Sequence, residues 1–327
     1  MIAPSPTVAN HHAAADHQRP VLARTAGVVL ALTVALAVLT LAFALPAVKS
    51  KPHAVPIGIA GPTTVTDALQ RAAPGAFAVT YYPGVAALRQ AVLDRQVYGG
   101  LAVDTGGPTL LIATGGSPAV AQLLTQVGAS FAQHSATPLT TEDLAPPKAG
   151  DPRGAGLAAS ALPITLASIL PAIALVFVVG QRVWIRAAAA VLFAGLMGVT
   201  AAALLRYPLG SIDQNFWGVA AGLALGIAAA LLFILGLGSL FGRTGLAIGA
   251  GLAVLIGNPL SGLTSAPEML PAGWGTLGQL LPQGATATLL RSTAHFGGAG
   301  AESAILVLSC WAAVGTVLMA TAALRRT

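Results

Sequence analysis

Six strongly apolar stretches of this chain each run for at least seventeen residues without a single Asp, Glu, Lys, Arg or His: 25–47, 157–180, 187–205, 216–240, 245–261 and 303–324. A helix needs about 20 apolar residues to cross the hydrocarbon of a bilayer. Only helices and closed barrels can do so with every backbone polar group satisfied. Only 8% of the 327 residues are charged, against about 25% in a soluble domain. The expected fold class is therefore a membrane α-helical protein with six transmembrane helices. Pro163 and Pro171 are expected to kink the second of them.

The first span is preceded by residues 1–24, polar and rich in Pro, Ala and His, which read as a cytoplasmic disordered tail. His11, His12 and His17 lack the carboxylate or cysteine framework of a metal site, so no metal or other cofactor is expected. The run 25–47 is longer than a signal-peptide core and should stay as an anchor. Cys310 is the only cysteine, so no internal disulfide can form; inside an apolar run it reads as a packing residue.

Residues 48–156 hold the one sizeable water-soluble piece. VPIGIAG, FAVTYYP, VYGGLAVD and PTLLIATGG read as strands, the last two as a hairpin. TTVTDALQRAA reads as a helix with a threonine N-cap. VAALRQAVLDRQ places Val85, Leu88, Val92 and Leu93 on one helical face, and SPAVAQLLTQVGASFAQHS is amphipathic. The order β-α-β-α-β-β-α predicts a small α/β domain inserted between the first and second spans. TPLTTEDLAPPKAGDPRGAG then reads as a Pro-rich linker back to the membrane.

Charge sets the orientation. With the N-terminus inside, the inner face holds Arg19, Arg24, Arg182, Arg186, Arg243, Arg325 and Arg326 against Asp16 alone, an excess equal to the whole formal net charge of +6. The other face carries nine basic and nine acidic residues. The positive-inside rule then predicts a multi-pass plasma-membrane protein with both termini cytoplasmic and the α/β domain extracytoplasmic. The basic residues belong to this pattern, so nucleic acid is not an expected partner and membrane lipid is.

Residues 157–327 should form a five-helix membrane domain. Between its last two spans lies GNPLSGLTSAPEMLPAGWGTLGQLLPQGATATLLRSTAHFGG, too apolar for a solvated loop and too rich in proline for a spanning helix. Irregular backbone at membrane depth persists only where protein or a wet cavity covers it. Residues 262–300 are therefore expected to form an outer-leaflet re-entrant cap of short helices. Trp274 suits the membrane–water interface. Glu268, Arg291, His295 and Glu302 either bind a substrate head group or snorkel to interfacial water. Arg206, Tyr207 and Asp213, at the outer turn between the third and fourth spans, leave the same choice.

Gly218, Gly222 and Gly226 make a GxxxGxxxG ladder, and Gly245 and Gly249 continue the spacing in the next span. Small residues one turn apart let helices approach closely, either along a dimer seam or within the chain. No Asp, Glu, Lys, Arg or His lies inside a span, which argues against a proton-driven pump. There is no GxxxxGK[ST] phosphate loop and no Ser-His-Asp, Cys-His or paired-carboxylate pattern, so no enzymatic activity is expected of this chain.

Two segments resemble the phage-infection-protein-like (YhgE/Pip) branch of the type-2 ABC transporter permeases. AVLDRQVYGGLAVDTGGPTLLIATGGSPAVAQLLTQV is similar to that branch's outer domain. The stretch from Gly257 to Phe296 is similar to its cap, with Asn258, Pro259, Pro267, Glu268, Leu270, Pro271, Trp274, Pro282, Gly284 and Arg291 at matching places. The resemblance implies a homo- or heterodimer of six-span halves that exports a lipid-like or amphiphilic compound, powered by a separate cytoplasmic ATPase. On this reading Asn258, Glu268, Trp274 and Arg291 are the substrate candidates in and beside the cap. Arg182, Trp184 and Arg186, in the short inner loop, are the candidates for coupling to the ATPase. The rival expectation is a non-transporting, membrane-anchored binding or receptor protein that acts through its extracytoplasmic domain.

Overall fold

The apolar runs form helices, and among the described residues five helices are long and apolar enough to cross a membrane. The computed structural model describes residues 9–63, 66, 69, 70, 73–135, 138–180 and 182–325. The chain separates into two units, Met1–Leu45 and Pro46–Thr327.

The first unit is almost entirely helix α1 (Ala9–Val48), whose side chains from residue 23 onward are nearly all exposed. The helix takes in residues 9–24, where the sequence predicts a disordered tail. Ala13, Ala14 and Ala15 favour helix, and extending an existing helix needs no new nucleus. Residues 1–8 lie outside the described residues.

The second unit begins with a five-stranded sheet of order β2-β1-β3-β4-β5. Strand β1 (Val55–Ala60) pairs in parallel with β2 (Phe77–Tyr81) and with β3 (Gly99–Asp104). Strand β4 (Gly107–Ile112) pairs with β3 as an antiparallel hairpin around Thr105 and Gly106. Helix α2 (Val85–Leu93) covers one face and α3 (Pro118–Ser135) the other. The alternation is legible in β4: Leu110 and Ile112 pack towards α3, while Leu111 packs towards α2. On α2 the buried positions are Leu88, Ala91 and Val92, whereas Leu93 is exposed. Most of the helix expected over TTVTDALQRAA falls outside the described residues.

The predicted linker is not free. Thr140–Asp143 forms β5, parallel to β4. Asp151 accepts from the backbone N–H groups of Ala155 and Gly156 at 2.9 and 2.8 Å, which caps helix α4 (Ala155–Ala159), and from Ser211 Oγ at 2.8 Å. Lys148 pairs with Asp213 at 2.8 Å. Composition conceals these ties because each partner lies far along the chain.

Helix α5 (Ala161–Val179) contains Pro171, and α6 (Val183–Arg206) follows after a very short turn. Helix α7 (Phe216–Leu252) continues through a π-helical turn (Ala253–Gly257) into α8 (Asn258–Leu260). This is the hub of the bundle, packed by α5 and α6 and by two later helices. As a straight helix its 45 residues would reach about 68 Å, over twice the ~30 Å of a hydrocarbon core. It is not straight. Gly242 has φ 59° and ψ −137°, a conformation open essentially only to glycine. Beyond it the helix folds back: Gly245 lies against Leu237 and Gly249 against Ile234.

The segment 262–300 contains a 3₁₀ turn (Pro267–Met269), α9 (Trp274–Gln279) and α10 (Pro282–His295). Helix α11 (Glu302–Leu324) closes the bundle. Gly222 and Gly226 face α10, meeting Leu289 and Thr286, while Gly218 faces Asn215 of its own helix entry. The ladder is thus occupied within the chain. The closest backbone approaches in the bundle include Gly198 against the Ala220 carbonyl and Gly315 against Leu232, positions the sequence pattern did not single out.

A β-carbon at Gly245 would overlap the Leu237 carbonyl, whereas one at Gly251 meets nothing within 4 Å. Gly245→Val is expected to destabilise the detergent-purified chain by about 1–3 kcal/mol, and Gly251→Ala to be neutral or slightly stabilising. Thermal unfolding of the two variants side by side checks this.

Candidate functional site

The segment 262–300 is bolted to the sheet by its backbone. Lys51 N donates to Met269 O at 3.0 Å and His53 N to Glu268 O at 2.9 Å. Ser50 Oγ donates to Met269 O at 3.0 Å and Ser117 Oγ to Ser265 O at 2.9 Å. Ala266, 0% exposed, belongs to the same apolar cluster as Ile57, Leu110 and Val120. The cap is therefore part of the sheet's core.

Arg291, on α10 and 4% exposed, holds the cap loop from the other side. Its Nη2 donates to Gly262 O at 2.7 Å, Leu263 O at 2.6 Å and Ser265 O at 3.0 Å. Burial pulls its pKa down to about 10, against the opposing pull of Tyr98 and Glu268, and the charge of Arg95 lowers it further. The group still carries its proton at neutral pH.

Between the sheet and the cap lies a cavity of about 440 Å³ whose walls include His53, Arg95, Tyr98, Glu268, Gln279 and Phe296. Tyr98 Oη donates to Glu268 Oε2 at 2.8 Å, and burial first, then the Glu268 charge, pushes the phenol well above its ordinary pKa. Arg95 Nη1 donates to Thr288 O at 3.2 Å and to Ser292 Oγ. Its guanidinium lies 5.3 Å from the centroid of the Phe296 ring, a cation–π distance. Burial lowers the Arg95 pKa, with Tyr98 and Glu268 acting in the opposite direction. The arrangement can bind and orient a small polar molecule. Among the described residues no group of three or more His, Cys, Asp or Glu side chains could hold a metal ion.

Of the residues predicted for substrate contact, Glu268 lines this cavity and Arg291 stands behind its cap wall. Trp274 opens α9, half-buried, between the lining residues Gly273 and Gly275. Asn258 lies elsewhere: its Oδ1 accepts from Thr165 Oγ1 at 2.8 Å beside a void of about 20 Å³, room for roughly one water and not for a head group. It joins α8 to α5. Glu302 is exposed at the start of α11. Asp213 is taken by Lys148, and Arg206 lies over the Tyr207 ring at 6.0 Å.

At the turn between α5 and α6 the expectation for Arg186 needs correction. It is 4% exposed and donates to Ser239 Oγ at 3.1 Å, so it braces α6 against α7 rather than facing outward. Arg182 and Trp184 are exposed. Sequence reasoning missed Arg95, Tyr98, Gln279 and Ser292 as site residues. Arg95 and Tyr98 read as the end of an ordinary amphipathic helix and the start of a strand, and nothing local reveals partners about 170–200 residues away.

No family model, curated protein or solved structure matches the chain.

Two outcomes are expected. Arg291→Gln should cost about 3 kcal/mol or more, because buried carbonyls lose their donor, while Arg291→Lys should recover part of that; thermal unfolding in detergent measures both. His295 is held neutral by burial, and by Lys148 and Arg291, with its pKa lowered to about 4. Its unfolded form binds a proton near pH 6.5, so stability should be full above that pH and decline as pH falls from about 6.5 towards 4. His295→Gln should flatten that part of the pH–stability curve.

Proposed function

We propose that this chain is the permease-like membrane subunit of an ABC-type exporter, resembling the phage-infection-protein-like permeases. It moves a lipid-like or amphiphilic compound as a dimer, with energy from a separate cytoplasmic ATPase, and catalyses no reaction itself. The observation that carries the reading is the cap. A broken, proline-rich segment between the last two apolar helices is folded into the core of the α/β region and encloses a cavity with it. That is where a compound leaving the bilayer would meet the outer domain.

The reading counts six spans, taking the fold-back at Gly242 as the inner turn between the fourth and fifth. Helix α6 supports the placement of the bilayer. Its exposed Trp184 near one end and exposed Tyr207 just past the other are separated by about 34 Å of helix rise, matching two interfacial aromatic belts. Arg182 and Arg243 then lie inside with both termini, and the α/β region lies outside, in the plasma membrane.

A second reading, a membrane-anchored binding or receptor protein, is favoured by one specific observation. The turn between α5 and α6 is very short and Arg186 is buried, leaving Arg182 and Trp184 as the surface an ATPase could grip there.

Purification of the tagged chain in mild detergent after covalent cross-linking separates the two. Recovery of a nucleotide-binding subunit in roughly equal amount supports the exporter; its repeated absence favours the binding protein. Reporter fusions check the topology: a fusion at Gly242 should report the cytoplasm and one at Gly210 the outer side. Opposite results would overturn the six-span count.

A further inference from the structure

The second residue after α2 adopts a conformation that the sequence could have made easier. Arg95 has φ 58°. Its N–H donates to Val92 O at 3.1 Å and that of Gln96 to Ala91 O at 2.9 Å. This is the helix-terminating position where glycine is preferred, because a β-carbon is disfavoured in the left-handed region. An arginine stands there, and its side chain reaches the cavity between the sheet and the cap.

That guanidinium is only partly used. Nη1 serves Thr288 O and Ser292 Oγ; among the described residues, Nη2 and Nε have no acceptor and no carboxylate lies within salt-bridge distance. Among the described residues the cavity lining carries one guanidinium, Arg95, and one carboxylate, Glu268, one of whose oxygens is already held by Tyr98, and a second guanidinium, Arg291, stands behind the cap wall. The balance is positive. The walls also carry apolar surface from Val92, Val97, Leu270 and Phe296. A volume of about 440 Å³ lies in the range of small-molecule sites.

We propose that this cavity binds an amphiphile through its oxyanion, a carboxylate or phosphate, with the free edge of Arg95 receiving the anion and the apolar walls receiving the attached chain. An arginine fork matches such oxyanions in two parallel hydrogen bonds. The proposal deepens the exporter reading, on which it rests for the cavity's role in transport; the binding itself requires no ATPase.

The test uses the full chain purified in detergent, with hexyl phosphate as the probe in titration calorimetry and inorganic phosphate for comparison. Hexyl phosphate should bind saturably, and inorganic phosphate about tenfold or more weakly. Arg95→Gly should weaken hexyl phosphate binding by about tenfold or more, although it relieves the left-handed backbone. Glu268→Gln should tighten binding several-fold, since Tyr98 keeps an acceptor and a repelling charge is gone; general damage to the fold would act in the opposite direction. The proposal is overturned by no saturable binding, by Arg95→Gly binding as well as the parent, or by Glu268→Gln binding more weakly. The same titration in phosphatidylcholine nanodiscs, with and without phosphatidic acid, identifies the source of the anion. Competition by phosphatidic acid supports a lipid head group as occupant, and undiminished binding supports a soluble amphiphile. If anion binding holds while no ATPase co-purifies, the site stands and the exporter reading falls; the converse outcome removes the site alone.

Discussion

The arrangement depends on one buried arginine. A segment as broken as 262–300 exposes backbone carbonyls that a regular helix would satisfy internally, and in an apolar setting each unpaired carbonyl is costly. Arg291 meets this need by donating to the carbonyls of Gly262, Leu263 and Ser265. With that loop held, Ala266 enters the core of the sheet and Glu268 comes within reach of Tyr98. The cavity wall follows from these placements. A charge first considered for contact with substrate is thus the fastening that creates the site.

A second constraint is the crowding around α7. Helices in a largely apolar environment gain little from excluding water and associate by close packing. Glycines therefore sit where backbones nearly touch, as at Gly198 against Ala220 and Gly315 against Leu232. The ladder at Gly222 and Gly226 serves α10 in the same way, so a second copy of the chain would have to use another face. Arg186 contributes at the far end by joining α6 to Ser239 of α7. In each case a residue type that signals assembly or coupling in the abstract is used for internal packing.

Electrostatics divide along the same lines. Lys148, Asp151, Ser211 and Asp213 tie the segment after β5 to the turn before α7, so charge there is spent on fastening. The cavity differs in keeping part of a guanidinium unspent, beside a carboxylate that is only half engaged. Its positive balance gives the exporter reading a definite chemistry, an anionic head group, that composition alone does not suggest.

Much of the architecture was legible in the amino-acid order. Runs without charge become long helices because lipid-length apolar stretches have few alternatives. The alternation in VPIGIAG and PTLLIATGG becomes strands with two distinct faces, and proline spacing alone marks 262–300 as irregular. Other features required the third dimension. Strand β5 exists because β4 offers an edge to a polar segment, and the fold-back at Gly242 depends on a backbone conformation that one glycine among many happens to take. Asn258 left the candidate site because Thr165 is its neighbour, and Arg95 entered it because the chain leaving α2 turns left-handed at that residue, beside α10. Local sequence determined which segments are helix, strand or broken chain, since these follow from periodicity and solvent preference over a few residues. Tertiary structure alone decided which polar groups meet, because pairing across about 200 residues is set by how the elements pack.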